Sequence, residues 1–345
     1  MGSRGQPRRI LVRAPTWIGD AVMATPVLRA LRGAHPEAEI LVEGRPLLEG
    51  LLRGLSSFDR FVPEARGGAR GLWARVRALR RLRCDWAVLL PDSPRAALGP
   101  FLAGVPRRAG YARDLARRIL LTDALEPPME NGERVPISMI ERYLRITRSL
   151  GCPDRGSELD LAVESDAAER LGKDLLRRGI DPDRPLLVVT PGASFGASKL
   201  WPVAHFARAC DELARRRGLL PVLAPAPSEA PIARAVAAAA DERCLVLDDP
   251  AVSLAELKAL VARAALLLSN DTGPRHIAVA LGVPVVVVMG STDPRHTAHH
   301  LERQRVLREE VPCSPCHLPV CPIDHRCMTR LDPERVVAAA EELLG

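Results

Sequence analysis

Three stretches of this 345-residue chain carry residue types and spacings that could do chemistry. The first runs from Leu266 through Ser269, Asn270, Asp271, Thr272, Gly273 and Pro274 to Arg275 and His276, where an apolar run ends in small polar residues and becomes a helical pattern. A helix starting at the carboxyl end of a strand offers unpaired backbone N–H groups and the positive end of its dipole, so this turn can hold a phosphate. Pro274 suits a first helical turn, where a missing N–H costs nothing, and His276 lies one turn along, in reach of the same anion. Asn270, Asp271 and Thr272 could equally cap an ordinary helix. The second stretch is the small-residue loop Thr190–Pro202, TPGASFGASKLWP, which allows close backbone approach to a ligand and carries Lys199, one of only three lysines. The third is Asp20, at the start of the first helix; it could act as a general base or simply complement the helix dipole, worth about 0.3–1 kcal/mol.

A fourth constellation stands apart. Cys313, Cys316, Cys321 and Cys327 follow a C-x2-C-x4-C-x5-C spacing with His317 and His325 interleaved, which suits zinc, an iron–sulfur site or four unligated thiols, in each case away from catalysis. Cys84, Cys152, Cys210 and Cys244 are scattered singly and read as small core residues in a reducing compartment.

The elements that must position these groups alternate. Strands are expected at 10–13, 39–43, 86–90, 186–190, 219–224, 244–247, 266–270 and 283–289. Helices are expected at 19–32, 71–83, 140–150, 166–178, 203–217, 230–240, 254–264, after Gly273 and at 333–344. Such βα alternation in both halves predicts two doubly wound parallel sheets, residues 1–165 and 166–345, holding ligand in a cleft between them. A dinucleotide-binding dehydrogenase is disfavoured, because Ala14-Pro15-Thr16-Trp17-Ile18-Gly19-Asp20 has one glycine where a G-x-G-x-x-G turn needs three.

Charge is divided unequally. Residues 1–165 carry 27 Arg and no Lys against 19 acids, while residues 166–345 are nearly balanced, so the net +7 belongs to the first half. The arginines gather at Arg66, Arg70, Arg75, Arg77, Arg80, Arg81 and Arg83, and again at Arg107, Arg108, Arg113, Arg117 and Arg118. An anionic partner is expected there. Nucleic acid is the poorest candidate, since aromatic residues are 3% of the chain and no nucleic-acid module is present. No run of eighteen apolar residues occurs, and the basic start Met1–Arg9 leads into a strand without a cleavage site, so a cytoplasmic location is expected.

Together, Arg13–Arg32 (RAPTWIGDAVMATPVLRALR), the PGASFGASKLWP loop and SNDTGPRHIAVALGVPVVVVMGSTDP resemble glycosyltransferase family 9, particularly its heptosyltransferase II-like members. The resemblance implies a GT-B fold of two Rossmann-like domains, an acceptor domain (1–165) and a nucleotide-sugar domain (166–345) that includes the Cys-rich loop 313–327 and the terminal helix. It implies inverting transfer of L-glycero-D-manno-heptose from ADP-heptose to the lipopolysaccharide inner core, with no metal or other cofactor required. The acceptor would be Kdo-lipid A or its heptosylated core. Heptosyltransferase I or III activity, or non-catalytic nucleotide-sugar binding, are the alternatives.

On matching positions, Asp20 falls where the family has its base and Lys199 where it has its catalytic lysine. Ser194, Lys199, Glu229, Asp271, Thr272, Gly273 and His276 fall on the donor side, with Asp293 on the same rim. Asp92, Arg107 and Arg108 are expected to meet the acceptor. Leu247–Leu254 lacks the glycine and threonine of the family's L-x-G-x-T-x-L stretch. The expected setting is a monomer, peripheral on the anionic inner face of the inner membrane.

Overall fold

The computed structural model describes residues 6–65 and 67–345; Arg66 and the first five residues of the basic start lie outside the described residues. The chain forms two compact units, one reaching to Asp160 and including Arg295–Thr297, the other comprising Leu161–Pro294 and Ala298–Gly345. The change of unit at Asp160 precedes the expected 165 because residues 154–160 are tied back to the helix Thr25–Ala34. There the Asp160 N–H donates to Thr25 Oγ1 at 2.9 Å, and Arg29 pairs with the Asp160 carboxylate and donates to the carbonyl of Glu158 at 2.8 Å.

The first unit contains β1 (Arg9–Arg13), β2 (Glu39–Gly44), β3 (Arg60–Pro63), β4 (Trp86–Leu89), β5 (Arg107–Tyr111) and β6 (Asp123–Leu125), in the order β3-β2-β1-β4-β5-β6. All pairings are parallel. A short antiparallel hairpin, β7 (Met129–Glu130) with β8 (Glu133–Arg134), follows. The second unit repeats the plan with β9 (Leu186–Thr190), β10 (Leu220–Leu223), β11 (Leu245–Val246), β12 (Ala264–Asn270), β13 (Val285–Val288) and β14 (Gln304–Leu307), ordered β11-β10-β9-β12-β13-β14 and again parallel. Every residue of β9 and β13 is buried, as helices on both faces of a parallel sheet require. In each sheet the strand order reverses once, between β1 and β4 and between β9 and β12. Connections leave those neighbours in opposite directions, so a crevice opens at their carboxyl ends, where open α/β sheets bind ligands.

Helix 19–32 is not continuous. It divides into Ile18–Met23 and Thr25–Ala34 around Ala24, because Pro26 has no N–H to give the Val22 carbonyl; the Thr25 hydroxyl takes that carbonyl instead, at 2.8 Å. Strands β3, β5, β6 and β14 and the helices Leu47–Leu52, Pro94–Leu102 and Leu115–Leu120 add to the expected elements. Their sequences hide them: β5 begins with two arginines and β14 reads QRVL, so neither shows an apolar run. The terminal helix Pro333–Leu344 is capped by Asp332, which accepts the Glu334 N–H at 2.9 Å, and it buries Val336, Val337 and Ala340 in the second core. No helix among the described residues is long and apolar enough to cross a membrane.

Candidate active site

At the β9/β12 crevice of the second unit the two loops singled out in the sequence lie side by side. Thr190 at the end of β9 donates to Ser269 on β12 at 2.8 Å, which fixes the strand ends relative to each other. Asn270 is fully buried and serves as a clamp: its Nδ2 donates to the carbonyl of Pro191 at 2.7 Å and its Oδ1 accepts the Trp201 N–H at 3.2 Å. The indole of Trp201, 1% exposed, donates to the Leu331 carbonyl at 3.1 Å. With both ends pinned, the turn Ala197–Lys199 presents one lysine.

Lys199 Nζ donates to Asp271 Oδ2 and to the Asp271 carbonyl, each at 2.8 Å. Asp271 also receives Arg275 Nη1 at 2.7 Å and the Thr292 hydroxyl at 2.6 Å, and Arg275 is oriented from behind by Gln304 at 2.9 Å. Burial works against ionising Asp271, but the charges of Arg275 and Lys199 and the hydrogen bonds from Lys199 and Thr292 outweigh it and hold the carboxyl well below the usual carboxylate range. Two cations therefore share one anion, leaving a surplus positive charge at the crevice. Arg275 and Thr292 hold Asp271 independently of Lys199, so the carboxylate keeps partners of its own.

The helix Gly273–Ala280 starts here, and Thr272 at its N-cap makes no capping hydrogen bond. The amides of its first turn are thus left for an anion. His276 is buried, and burial, with the Arg275 and Lys199 charges, pushes its imidazole down to about 3. It is neutral at ordinary pH and can offer an N–H but no charge. On the β10 side, Ser194 donates to Glu229 Oε1 at 3.3 Å and the Ala226 N–H donates to Oε2 at 3.3 Å. Burial pushes the Glu229 carboxyl up. Gly192 lies close beneath it: a Cβ there would stand 2.1 Å from the Glu229 carboxyl carbon and push that side chain aside. Gly192→Ala is expected to cost about 1–3 kcal/mol of stability, with most of it recovered in Gly192→Ala combined with Glu229→Ala; denaturant unfolding of the single and double variants measures this.

In the first unit Asp20 lies in the first turn of Ile18–Met23, immediately after β1, and Asp92 follows β4, so the two acids flank the other crevice. Tyr143, fully buried on the helix Met139–Ser149, has its phenol raised well above the usual value by burial and then by the Asp20 charge, with a smaller push from Asp92. Asp92 is held by Arg142 Nη2 at 2.5 Å, and that guanidinium stacks over Tyr111 at 4.0 Å; Asp92 Oδ1 is buried without a hydrogen-bond partner. A cavity of about 280 Å³ opens beside this edge, lined by Arg13, Thr16, Arg45, Arg75, Ser93 and Arg95. Arg75 forks onto buried Glu43 at 2.5 and 2.6 Å, and Arg13 pairs with Glu64 at 2.7 Å while its Nε and Nη1 make no hydrogen bond.

Sequence reasoning missed Arg13, Arg45, Arg95 and Arg142. Arg13 ends an apolar strand and gives no local signal of a site; the others are isolated in loops or on a helix.

Arg107 and Arg108 do not belong to this edge. They open β5, opposite Trp86 at the start of β4, at the amino ends of the strands and roughly 15 Å along the sheet from Asp92. Arg107 pairs with Asp123 at 2.9 Å and covers the Trp86 ring at 4.5 Å. Arg108 donates to the carbonyl of Leu120 at 2.7 Å and lies over Phe101. Their cations are engaged at the sheet's lower edge, by Asp123 and by the Leu120 carbonyl, and the structure does not bring them together with Asp92.

The description glycosyltransferase family 9 (heptosyltransferase) matches residues 72–326. This chain belongs to glycosyltransferase family 9. As a family 9 glycosyltransferase it is 29% identical, over 87% of its length and 88% of the relative's, to lipopolysaccharide heptosyltransferase 2 of Salmonella typhimurium. The solved structure of Escherichia coli ADP-heptose lps heptosyltransferase II is 26% identical with a TM-score of 0.79, covering 97% of this chain and 98% of that one. A family 9 glycosyltransferase from Veillonella parvula shares the fold with a TM-score of 0.83 at 20% identity, covering 98% and 97%. The two doubly wound sheets are those of the GT-B fold.

Proposed function

We propose that this family 9 enzyme moves L-glycero-D-manno-heptose from ADP-heptose to the inner core of lipopolysaccharide, as a heptosyltransferase II-like monomer. The observation that carries the donor side is the surplus cation of the Lys199–Asp271–Arg275 group beside uncapped helix amides. The bond between the anomeric carbon and the diphosphate oxygen breaks as the acceptor oxygen bonds from the opposite face, inverting the centre. Asp20 takes the acceptor proton. Lys199 and the amides after Thr272 meet the negative charge that grows on departing ADP, with His276 as a neutral donor and Ser194 beside them. Glu229 receives the ribose hydroxyls, and no step of this displacement calls for a metal or another cofactor.

Lys199→Ala is expected to weaken ADP binding by about 10–100-fold, the range of one charge-assisted hydrogen bond, which titration calorimetry measures. An unchanged ADP affinity would remove Lys199 from the diphosphate site. Incubation with ADP-heptose and truncated core acceptors tests the transfer itself. Transfer to singly heptosylated core supports the reading; transfer only to Kdo-lipid A, or only to a later core intermediate, would instead make the chain a heptosyltransferase I or III.

On the acceptor side, Kdo and phosphate groups are polyanions, and the cavity lined by Arg13, Arg45 and Arg95 gathers guanidinium groups at the sheet edge beside Asp20 and Asp92. The enzyme docks on the anionic inner face of the inner membrane from the cytoplasm. The helix Leu115–Leu120 supports this, with Leu115 73% and Ile119 65% exposed one turn apart next to Arg113 and Arg118. An apolar pair ringed by cations suits insertion at a headgroup boundary. Leu115→Ser with Ile119→Ser is expected to reduce sedimentation with anionic vesicles at low salt; equal binding of the parent enzyme to neutral and anionic vesicles would refute the docking.

A further inference from the structure

The function above leaves the four-cysteine segment unused, and its surroundings are unusual. From Arg308 to His325 the chain forms no helix or strand, a length at which an unstructured loop in a compact domain needs something to hold it. Apolar packing does not do so, since Leu318, Val320 and Ile323 are 43%, 65% and 60% exposed.

What the segment does have is four reduced cysteines in graded burial: Cys313 exposed, Cys316 and Cys321 half-buried, Cys327 buried. They share one neighbourhood, for Cys313, Cys321 and Cys316 each bear electrostatically on the Cys327 thiol, and Arg326 stands beside Cys313 and Cys321. The His325 N–H donates to Cys321 Sγ at 3.3 Å, which orients that sulfur within the loop. No three of the sulfurs lie within 4.8 Å of one another, so ligation would draw them together.

We propose that Cys313, Cys316, Cys321 and Cys327 bind one tetrahedral metal ion, zinc or iron, as a closed structural site. Four thiolates with no open position suit either ion and leave no place for substrate. Each ligating thiol gives its proton to solvent, and the ion is taken up without a change of oxidation state.

The loop that such an ion would order is stitched to both sides of the donor pocket. The Ser198 N–H donates to the Pro319 carbonyl at 3.0 Å, and the Ser198 carbonyl faces His325 Nε2 at 2.9 Å. The N–H groups of Cys316 and His317 both donate to the Ser291 carbonyl, at 3.1 and 2.8 Å. Ser198 precedes Lys199, and Ser291 precedes Thr292, the hydroxyl donor to Asp271. Gly196 lets the loops meet: its φ is +153°, and a Cβ there would lie 2.2 Å from the Pro319 oxygen. The ion would therefore act as a buttress for Lys199 without touching substrate.

The test is metal and sulfide analysis of the full chain purified anaerobically from medium containing both zinc and iron. One zinc or iron per chain without acid-labile sulfide is expected, absent from Cys316→Ser with Cys321→Ser and retained in Cys152→Ser. Against misfolding of the double variant, the parent chain is also read alone: chelation should expose four additional reactive thiols and speed amide exchange of residues 196–201 by at least about tenfold. No metal with all four thiols already reactive, metal that persists in the double variant, or stoichiometric acid-labile sulfide would each overturn the proposal. None of these readouts depends on the substrate.

Discussion

Asp20→Asn is expected to lower the transfer rate constant by about 10²–10⁴-fold, the range of a lost general base, while ADP affinity stays as it was. The separation follows from placement. Asp20 stands on the first unit, after β1, whereas every group assigned to the diphosphate belongs to the second. The substitution keeps size and shape while removing the negative charge and with it the capacity to take a proton, so packing in the first helix is left intact. Single-turnover transfer and ADP calorimetry on the same preparation check both halves. A rate within a few-fold of the parent would assign the base elsewhere, and weakened ADP binding with it would indicate a damaged fold.

Asp271→Ala is expected to cost about 3–5 kcal/mol of stability, because it leaves Arg275, 1% exposed, and Lys199 facing each other without the anion between them. The pH dependence gives the sign. Asp271 is held below its unfolded value, so its contribution is fully present above the unfolded carboxylate pKa of about 4 and is lost as pH falls towards the folded value. The parent and Asp271→Ala should therefore differ most in urea midpoint at neutral pH and converge as the solution is acidified below pH 4. A constant difference down to pH 2 would show that packing, and not charge, accounts for the loss. Arg275→Met should be milder, as Asp271 then retains Lys199, but it binds that lysine to the carboxylate and should raise the donor KM.

Much of the fold is legible in the sequence because parallel strands buried on both faces must be continuous apolar runs: LLVVT, AALLLSN and VVVV announce β9, β12 and β13 with no help from the rest of the chain. The edge strands β3, β6 and β14 are not legible, since one side of an edge is solvent and its residues need not be apolar, and β5, although inside the sheet, begins with two arginines. The break at Ala24 was missed for a different reason: Pro26 reads as a tolerated first-turn proline only once the helix is known to restart at Thr25.

The motifs were legible as motifs, and their division of labour was not. Asn270, Asp271 and Thr272 look alike as polar turn residues, yet Asn270 clamps the Pro191–Trp201 loop, Asp271 anchors two cations and Thr272 leaves the helix start uncapped. Arginine clustering along the chain gave no sign that Arg107 and Arg108 stand at the amino ends of their strands while Arg13 lines a cavity at the carboxyl edge. Counting charges along a chain cannot tell which end of a strand a side chain occupies or whether an acid such as Asp123 already pairs with it.

By itself the sequence determined the two βα repeats, the family, and the strand–turn–helix that carries Asp271 to His276, because hydrophobic period and small-residue turns are local properties. Only the tertiary structure decided that Lys199 and Arg275 share Asp271, that His276 is neutral, that Arg13 and not Arg107 lines a cavity, and that the cysteine loop is stitched to the lysine turn. Those facts depend on burial and on pairing between residues 4 to about 120 positions apart, which strand order creates and no local pattern encodes.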